Sequence, residues 1–242
     1  MRDFVDTAVA ACIEVARLIE ENEDVEAYRG FERGAGGDVS IGFDLMAEAL
    51  FVERLKSFGN IYSEESGWIE GEGEATILLD PIDGSDNLKS DFPYYGAAIA
   101  LQIEGETRAA IVCNFANGDC FVKYQNHHYK TSLRTPEMHQ KVTPHPYAKI
   151  GLFEKAAHHP EEGAALMMEG LKFRAPGAVA LSLAYAHYVN YVVFFGTMRP
   201  YDIDAGRYLC ENLHVFYDEG LLIVAKDQVV FDKLMVIFGK AL

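Results

Sequence analysis

Leu78-Leu79-Asp80-Pro81-Ile82-Asp83-Gly84-Ser85-Asp86-Asn87 is the stretch on which the reading of this chain turns. The apolar run from Thr76 to Leu79 reads as a buried strand that ends at Asp80. A carboxylate at a strand end stands at the edge of a sheet, well placed to hold a metal. Pro81 makes the chain turn rigidly there, and Asp83 presents a second carboxylate soon after. Hard oxygen donors of this kind suit Mg²⁺, which prefers carboxylates, waters and substrate phosphate. Gly84 allows close backbone approach, and its N–H and that of Ser85 would cradle a phosphate at a helix start. Asp, Gly and Ser are also turn formers, so a bare D-x-x-D-G-S would read as a capped turn. The full string behind a buried strand is more specific.

Outward from this stretch, Val5, Val9, Cys12, Ala16 and Ile19 mark one face of an amphipathic first helix. A second helix is expected from Asp44 to about Phe58, with a Gly34-Ala35-Gly36-Gly37 loop or turn before it. Ile61-Tyr62 leads into Ser63-Glu64-Glu65-Ser66. Tyr95 to Ile103, Arg108 to Asn114 and Asp119 to Tyr124 read as an antiparallel meander. A two-residue turn at Asn117-Gly118 would set Cys120 opposite Phe115 and Cys113 opposite Val122. Gln125 to Tyr147 is polar, with three prolines, and reads as an irregular connection between subdomains 1–147 and 148–242. Beyond it, strands are expected at Lys149 to Phe153, Lys172 to Arg174 and Tyr191 to Phe195. Helices are expected at Pro160 to Glu169, Gly177 to Tyr188, Asp202 to Asn212 and Val229 to Phe238. Strands first and alternation later predict α+β leading into α/β layers.

The 242 residues suffice for a sizeable core, and half of them are hydrophobic. The net charge of −16 opposes nucleic-acid polymers and anionic membranes as partners. Between Asp38 and Asp91, thirteen acidic residues face Arg54, Lys56 and Lys89. For Glu70, Glu72 and Glu74 in their Gly-rich stretch, a solvated face explains the charge. For Asp80 and Asp83, behind a buried run, it does not, because buried carboxylates need cations. Cys12, Cys113, Cys120 and Cys210 form no C-x-x-C pair and read as reduced thiols of a cytoplasmic protein. The N-terminus lacks a signal-peptide core. His127-His128 and His158-His159 are read as loop positions rather than a zinc site. Arg174 and Arg199 are either contacts to a second phosphate or surface ion pairs, with the ion pair favoured.

Four stretches in order carry a family resemblance. Asp80-Pro-Ile-Asp-Gly-Ser85 resembles the D-P-I/L-D-G-T/S signature of the inositol monophosphatase family, within the lithium-sensitive, metal-dependent phosphatase superfamily. Ser63-Glu64-Glu65-Ser66 is similar to its G-E-E-S. Gly177-Ala-Val-Ala-Leu-Ser-Leu-Ala-Tyr185 is similar to its G-S-A-A-L-x-L-A-Y helix, and Tyr201-Asp202-Ile-Asp-Ala-Gly206 to its W-D-x-A-A-G.

The resemblance implies a single layered αβαβα sugar-phosphatase sandwich, usually a homodimer. It also implies Mg²⁺-dependent hydrolysis of a small phosphorylated metabolite such as inositol 1-phosphate, with two or three ions per site, Mn²⁺ as a substitute and Li⁺ as an inhibitor. By similarity, Glu64, Asp80 and the Ile82 carbonyl would bind one ion, and Asp80, Asp83 and Asp202 another. Ser85 would stand in for the family's Thr and pair with Asp44 to activate water. Phe195 stands seven residues before Asp202, where inositol-specific members carry a Glu that bonds substrate hydroxyls. That keeps fructose 1,6-bisphosphate and 3′-phosphoadenosine 5′-phosphate open as substrates. A catalytically silent metal- or ligand-binding homologue is the alternative of a different class. Phosphate-ester hydrolysis has a very high uncatalysed barrier, which divalent ions lower by acidifying water and neutralising phosphate charge. On this reading Asp83→Ala would abolish turnover and leave the fold intact.

Overall fold

A computed structural model describes residues 1–37 and 39–240. Helix α1 (Arg2–Glu21) is followed by a 3-10 turn, Val25–Tyr28, and a small hairpin of β1 (Gly30–Arg33) and β2 (Val39–Ile41). Helix α2 (Gly42–Leu55) comes next. The strands β3 (Asn60–Ser63), β4 (Gly67–Ile69), β5 (Thr76–Asp83), β6 (Gly96–Ile103), β7 (Glu106–Asn114), β8 (Asp119–Tyr124), β9 (His127–Ser132) and β10 (Thr135–Lys141) follow. The short helix α3 (Ser85–Lys89) lies between β5 and β6. These strands form one sheet in the order β10-β9-β8-β7-β6-β5-β3-β4.

The second half contributes β11 (Gly151–Glu154), a 3-10 turn at Ala156–His158, α4 (Pro160–Met168), β12 (Phe173–Arg174), α5 (Val179–Ala184), β13 (Tyr191–Phe195), α6 (Pro200–Leu209), β14 (His214–Tyr217), β15 (Leu221–Ala225) and α7 (Gln228–Ile237). Its five strands run in the order β12-β11-β13-β15-β14.

Side-chain alternation explains the layering. In β5 to β7, Ile77, Leu79, Ile99, Ile111 and Cys113 pack against α1 and α2, while Leu78, Ala98, Ala100, Ala110 and Val112 pack against α5 and α6. Successive residues of a strand point to opposite faces, so a strand that is apolar on both faces must be covered twice. In β13, Val192 and Phe194 face α5 and α6, and Tyr191 and Val193 face α4 and α7. The result is helix, sheet, helix, sheet, helix, the expected αβαβα sandwich. Its central helices are rich in alanine and small enough to fit between two sheets: Ala180 and Ala184 of α5 and Ala205 of α6 are buried.

Several sequence expectations are corrected. Gln125 to Tyr147 is not an irregular connection, because β9 and β10 occupy most of it and extend the large sheet to its edge. An outer strand is half-solvated and can be polar throughout; most of β10 is exposed. Cys113 and Cys120 do stand opposite each other. The connection runs from Phe115 to Gly118 and closes through Gly118 N–H to the Asn114 carbonyl (2.9 Å), which is two residues longer than the assumed turn. The predicted helix Gly177 to Tyr188 shortens to α5, and Asp202 to Asn212 becomes α6, begun two residues earlier by Pro200. Phe58 lies beyond the end of α2. His127 and His128 lie on β9 rather than in a loop.

Candidate active site

Register brings the first two carboxylates together. Strands β3 and β5 are parallel, with Ser63 beside Leu79. The next residues, Glu64 and Asp80, therefore leave the sheet side by side, and the Glu64 N–H donates to the Leu79 carbonyl at 3.0 Å. Strand β5 does not stop at Asp80 as expected. It continues through Pro81 to Asp83 in a bulge, because Asp80 pairs with Ala98 and Asp83 with Gly96, three steps against two. Pro81 has no N–H to give the ladder, and a bulge accommodates it. Gly96 is required there: a Cβ would lie 1.7 Å from the Cys113 carbonyl oxygen. Gly84 follows in the left-handed region, φ 92°, and starts the five-residue α3. Asn87 ties this turn to the second half of the chain, its Nδ2 donating to the carbonyls of Tyr94 (2.7 Å) and Pro176 (2.8 Å).

Asp202 arrives from the central helix layer, in the first turn of α6. Oxygens of Glu64, Asp80 and Asp202 all lie within 4.8 Å of one another. Asp80 is 2 % exposed, and its Oδ1 is buried without a hydrogen-bond partner among the described residues. Such an orphan is costly in a dry site unless a cation completes it. Three hard carboxylates around one unsatisfied oxygen fit a divalent ion of the Mg²⁺ type. Burial pushes the Asp80 carboxyl well above its ordinary range, with the charge of Glu64 adding to it. Burial and then the Asp202 charge raise Glu64 to about 8, against the pull of Arg199. Metal-free, the cluster retains protons that a divalent ion would displace.

Asp83 is turned toward α5. It is buried, and its Oδ2 accepts the Leu181 N–H at 2.8 Å. Burial raises it to about 8, while the N–H groups of Leu181 and Val179 act in the opposite direction. The Ser85 hydroxyl lies 2.9 Å from Asp44 Oδ1 and 3.1 Å from the Ile82 carbonyl oxygen. Asp44 is held in place by the Ile41 N–H, 2.7 Å from Oδ2, and burial raises it to about 7.

These groups line one cavity of about 720 Å³. Three of its residues were not assigned a role from sequence. Arg199 was favoured as a surface ion pair, yet its Nε lies 2.7 Å from Asp202 Oδ2 and its Nη1 3.1 Å from Glu64 Oε1. Glu154, at the end of β11, accepts from the Gly177 N–H (2.9 Å) and the Ser182 hydroxyl. Lys155 has φ 60°, a strained backbone for a non-glycine residue, and its ammonium lies 5.4 Å from the Phe194 ring centre. Lone charged residues after short strands carry no sequence signal of this kind. Phe195 does not line the cavity; its ring packs on His159, centroids 4.0 Å apart, and Phe194 forms the wall instead. Arg174 bonds the Phe173 carbonyl at 2.8 Å and is exposed.

Comparisons with known proteins show what the chain as a whole is similar to. The Nus factor SuhB of Escherichia coli K12 is 29 % identical over 223 residues, covering 86 % of this chain and 82 % of the relative. A fructose-1,6-bisphosphatase of Pyrococcus furiosus is 27 % identical over 180 residues, covering 73 % and 68 %. The crystal structure of the extragenic suppressor protein suhB from Bartonella henselae superposes with a TM-score of 0.80 at 18 % identity, covering 97 % of this chain and 98 % of that one. The inositol monophosphatase family itself matches residues 1–213, a span that includes every carboxylate of the cavity, and the chain belongs to that family.

Proposed function

We propose that this chain is a Mg²⁺-dependent phosphatase that hydrolyses a small phosphate monoester, with inositol 1-phosphate as the reference substrate and fructose 1,6-bisphosphate or 3′-phosphoadenosine 5′-phosphate as alternatives. The observation that carries the reading is the buried Asp80 carboxylate, whose Oδ1 has no hydrogen-bond partner among the described residues and which clusters with Glu64 and Asp202 in the lining of the same cavity as the Ser85–Asp44 pair. Glu64, Asp80 and Asp202 would hold the ion, with Asp83 and the Ile82 carbonyl beside them. When bound, it supplies neutralising charge to the phosphate and acidifies water.

The chain's own residues do the rest. Asp44, fixed by Ile41 and near neutrality in pKa, accepts a proton at Oδ1 through the Ser85 hydroxyl. That pair orients a water whose oxygen bonds to phosphorus as the ester P–O bond breaks; the water's proton passes by way of Ser85 to Asp44, and the leaving alkoxide takes a proton from solvent water. The Gly84 and Ser85 N–H groups face the phosphate, and the walls align the reacting atoms. The apolar Phe194, Ala156 and Ala157 and the cations Lys89, Lys155 and Arg199 line the same cavity, which supports an anionic group beyond the reacting phosphate and keeps a bisphosphate open beside inositol 1-phosphate.

The test is phosphate release from the three substrates and an aryl phosphate, with Mg²⁺ and with EDTA. Metal-dependent release is the expected result, and the preferred substrate names the class. A folded protein that binds Mg²⁺ and releases phosphate from none of them is a silent binding homologue, and the proposal fails.

A further inference from the structure

Arg199 is the first residue of the α6 start, and its backbone is fixed: its carbonyl accepts the Asp202 N–H at 3.2 Å, and Pro200 follows it. Among the described residues its side chain reaches Asp202 Oδ2 (2.7 Å), Glu64 Oε1 (3.1 Å) and the Gly36 carbonyl (3.0 Å). Its guanidinium carbon lies 5.4 Å from the Tyr201 ring centre. Two of the three converging carboxylates, Glu64 and Asp202, therefore already hold a cation that belongs to the chain. We propose that Arg199 is a built-in competitor of the divalent ion, holding Glu64 and Asp202 until a metal takes them and so setting the Mg²⁺ concentration at which the site fills.

The chemistry of the two cations supports competition. A guanidinium cannot be deprotonated in a protein, so it gives up a carboxylate only by moving. Its planar fork engages both carboxylates at once, an arrangement a compact divalent ion replaces with shorter, stronger contacts. An oxygen that faces Arg199 is not free to turn toward Asp80. Any state that favours one cation disfavours the other by the same factor. The guanidinium is partly solvent-exposed and lines the cavity, so once displaced it remains where substrate phosphate arrives. A purely structural Arg199 would act in the opposite sense, positioning Glu64 and Asp202 for the metal.

The inference rests on the metal site of the phosphatase reading, and substrate-free metal binding separates the two. Mn²⁺ binding is followed by loss of the free-ion paramagnetic signal, and Mg²⁺ binding by calorimetry, on the full chain. Arg199→Gln is expected to bind both ions about tenfold tighter than wild type. Arg199→Lys keeps the charge without the fork and falls between them, which preserves the test if the Gln variant does not fold. Lys155→Gln removes a cation that lines the same cavity over Phe194, and is expected to change affinity less than about twofold. Equal or weaker binding by Arg199→Gln, or equal tightening by Lys155→Gln, overturns the proposal. A wild type that binds neither ion overturns the metal site itself.

Discussion

Asp83 and Leu181 are joined by a 2.8 Å hydrogen bond between a buried carboxylate and a backbone N–H, across 98 residues of sequence. The bond fastens the end of β5 to α5, so the site is built into the seam between the large sheet and the central helices. It also changes what Asp83→Ala should do. Left without its acceptor, the buried Leu181 N–H costs about 1–3 kcal/mol, so the variant loses stability as well as turnover. Asp83→Asn retains an acceptor oxygen and should lose turnover with less than half that destabilisation. Urea unfolding in EDTA measures both, and equal losses would show that the bond does not carry the effect.

The Ser85–Asp44 pair acts as a unit. Ser85→Ala and Asp44→Asn should each lower kcat by roughly 10²–10⁴-fold, and the double variant by little more than the worse single one. Ser85→Thr keeps the hydroxyl and should stay within about tenfold of wild type. Multiplicative losses in the double variant would mean that the two side chains work separately.

Removing divalent ions should lower thermal stability, because the mutual repulsion of the converging carboxylates is then no longer offset by a divalent charge. Mg²⁺ at a hundredfold over its Kd should restore about 2.7 kcal/mol. Asp202→Asn should abolish most of that rise, since Asp202 is one of the three converging carboxylates. A full Mg²⁺ response in this variant would move the ion elsewhere.

His128 supplies a pH dependence away from the site. It lies on β9 with its ring 5.1 Å from that of His187, and burial lowers it to about 4, with the charges of His187 and Lys123 acting the same way. A folded pKa below the ordinary 6.5 means that the unfolded chain binds more protons between those values. The stability this imparts is complete above pH 6.5 and is lost as pH falls through 4. The gap in urea midpoint between wild type and His128→Gln should therefore shift as pH falls from 7 to 4.5, wild type losing more. Parallel curves would show that His128 does not titrate in this range.

The family and the segments of the site are legible in the sequence because each carboxylate lies at a short, locally coded element: a buried strand before Asp80, a short strand before Glu64, a helix start at Asp202. The parallel register that sets Glu64 beside Asp80 is not local. Nor is the role of Arg199, whose partner Glu64 lies in a distant segment. Counting back from Asp202 reaches Phe195 at the position of the family's substrate-binding Glu, yet strand alternation packs that ring on His159 in the core under α4 and α7 and puts Phe194 on the cavity. The polar strands β9 and β10 escaped notice because an edge position demands no apolar alternation. The Cys113–Cys120 register depended on loop length, which an Asn-Gly pair alone does not fix.

The position of Asp202 sets a clock on the making of this protein. As the chain leaves the ribosome, Glu64, Asp80 and Asp83 emerge long before the helix that completes them, and α5, which satisfies Asp83, also comes late. Until α6 has been synthesised and docked, Glu64 and Asp80 lack the third carboxylate of their cluster. Ion capture is thus tied to the synthesis of α6, and a chain terminated before α6 carries the signature motif without the means to fill it.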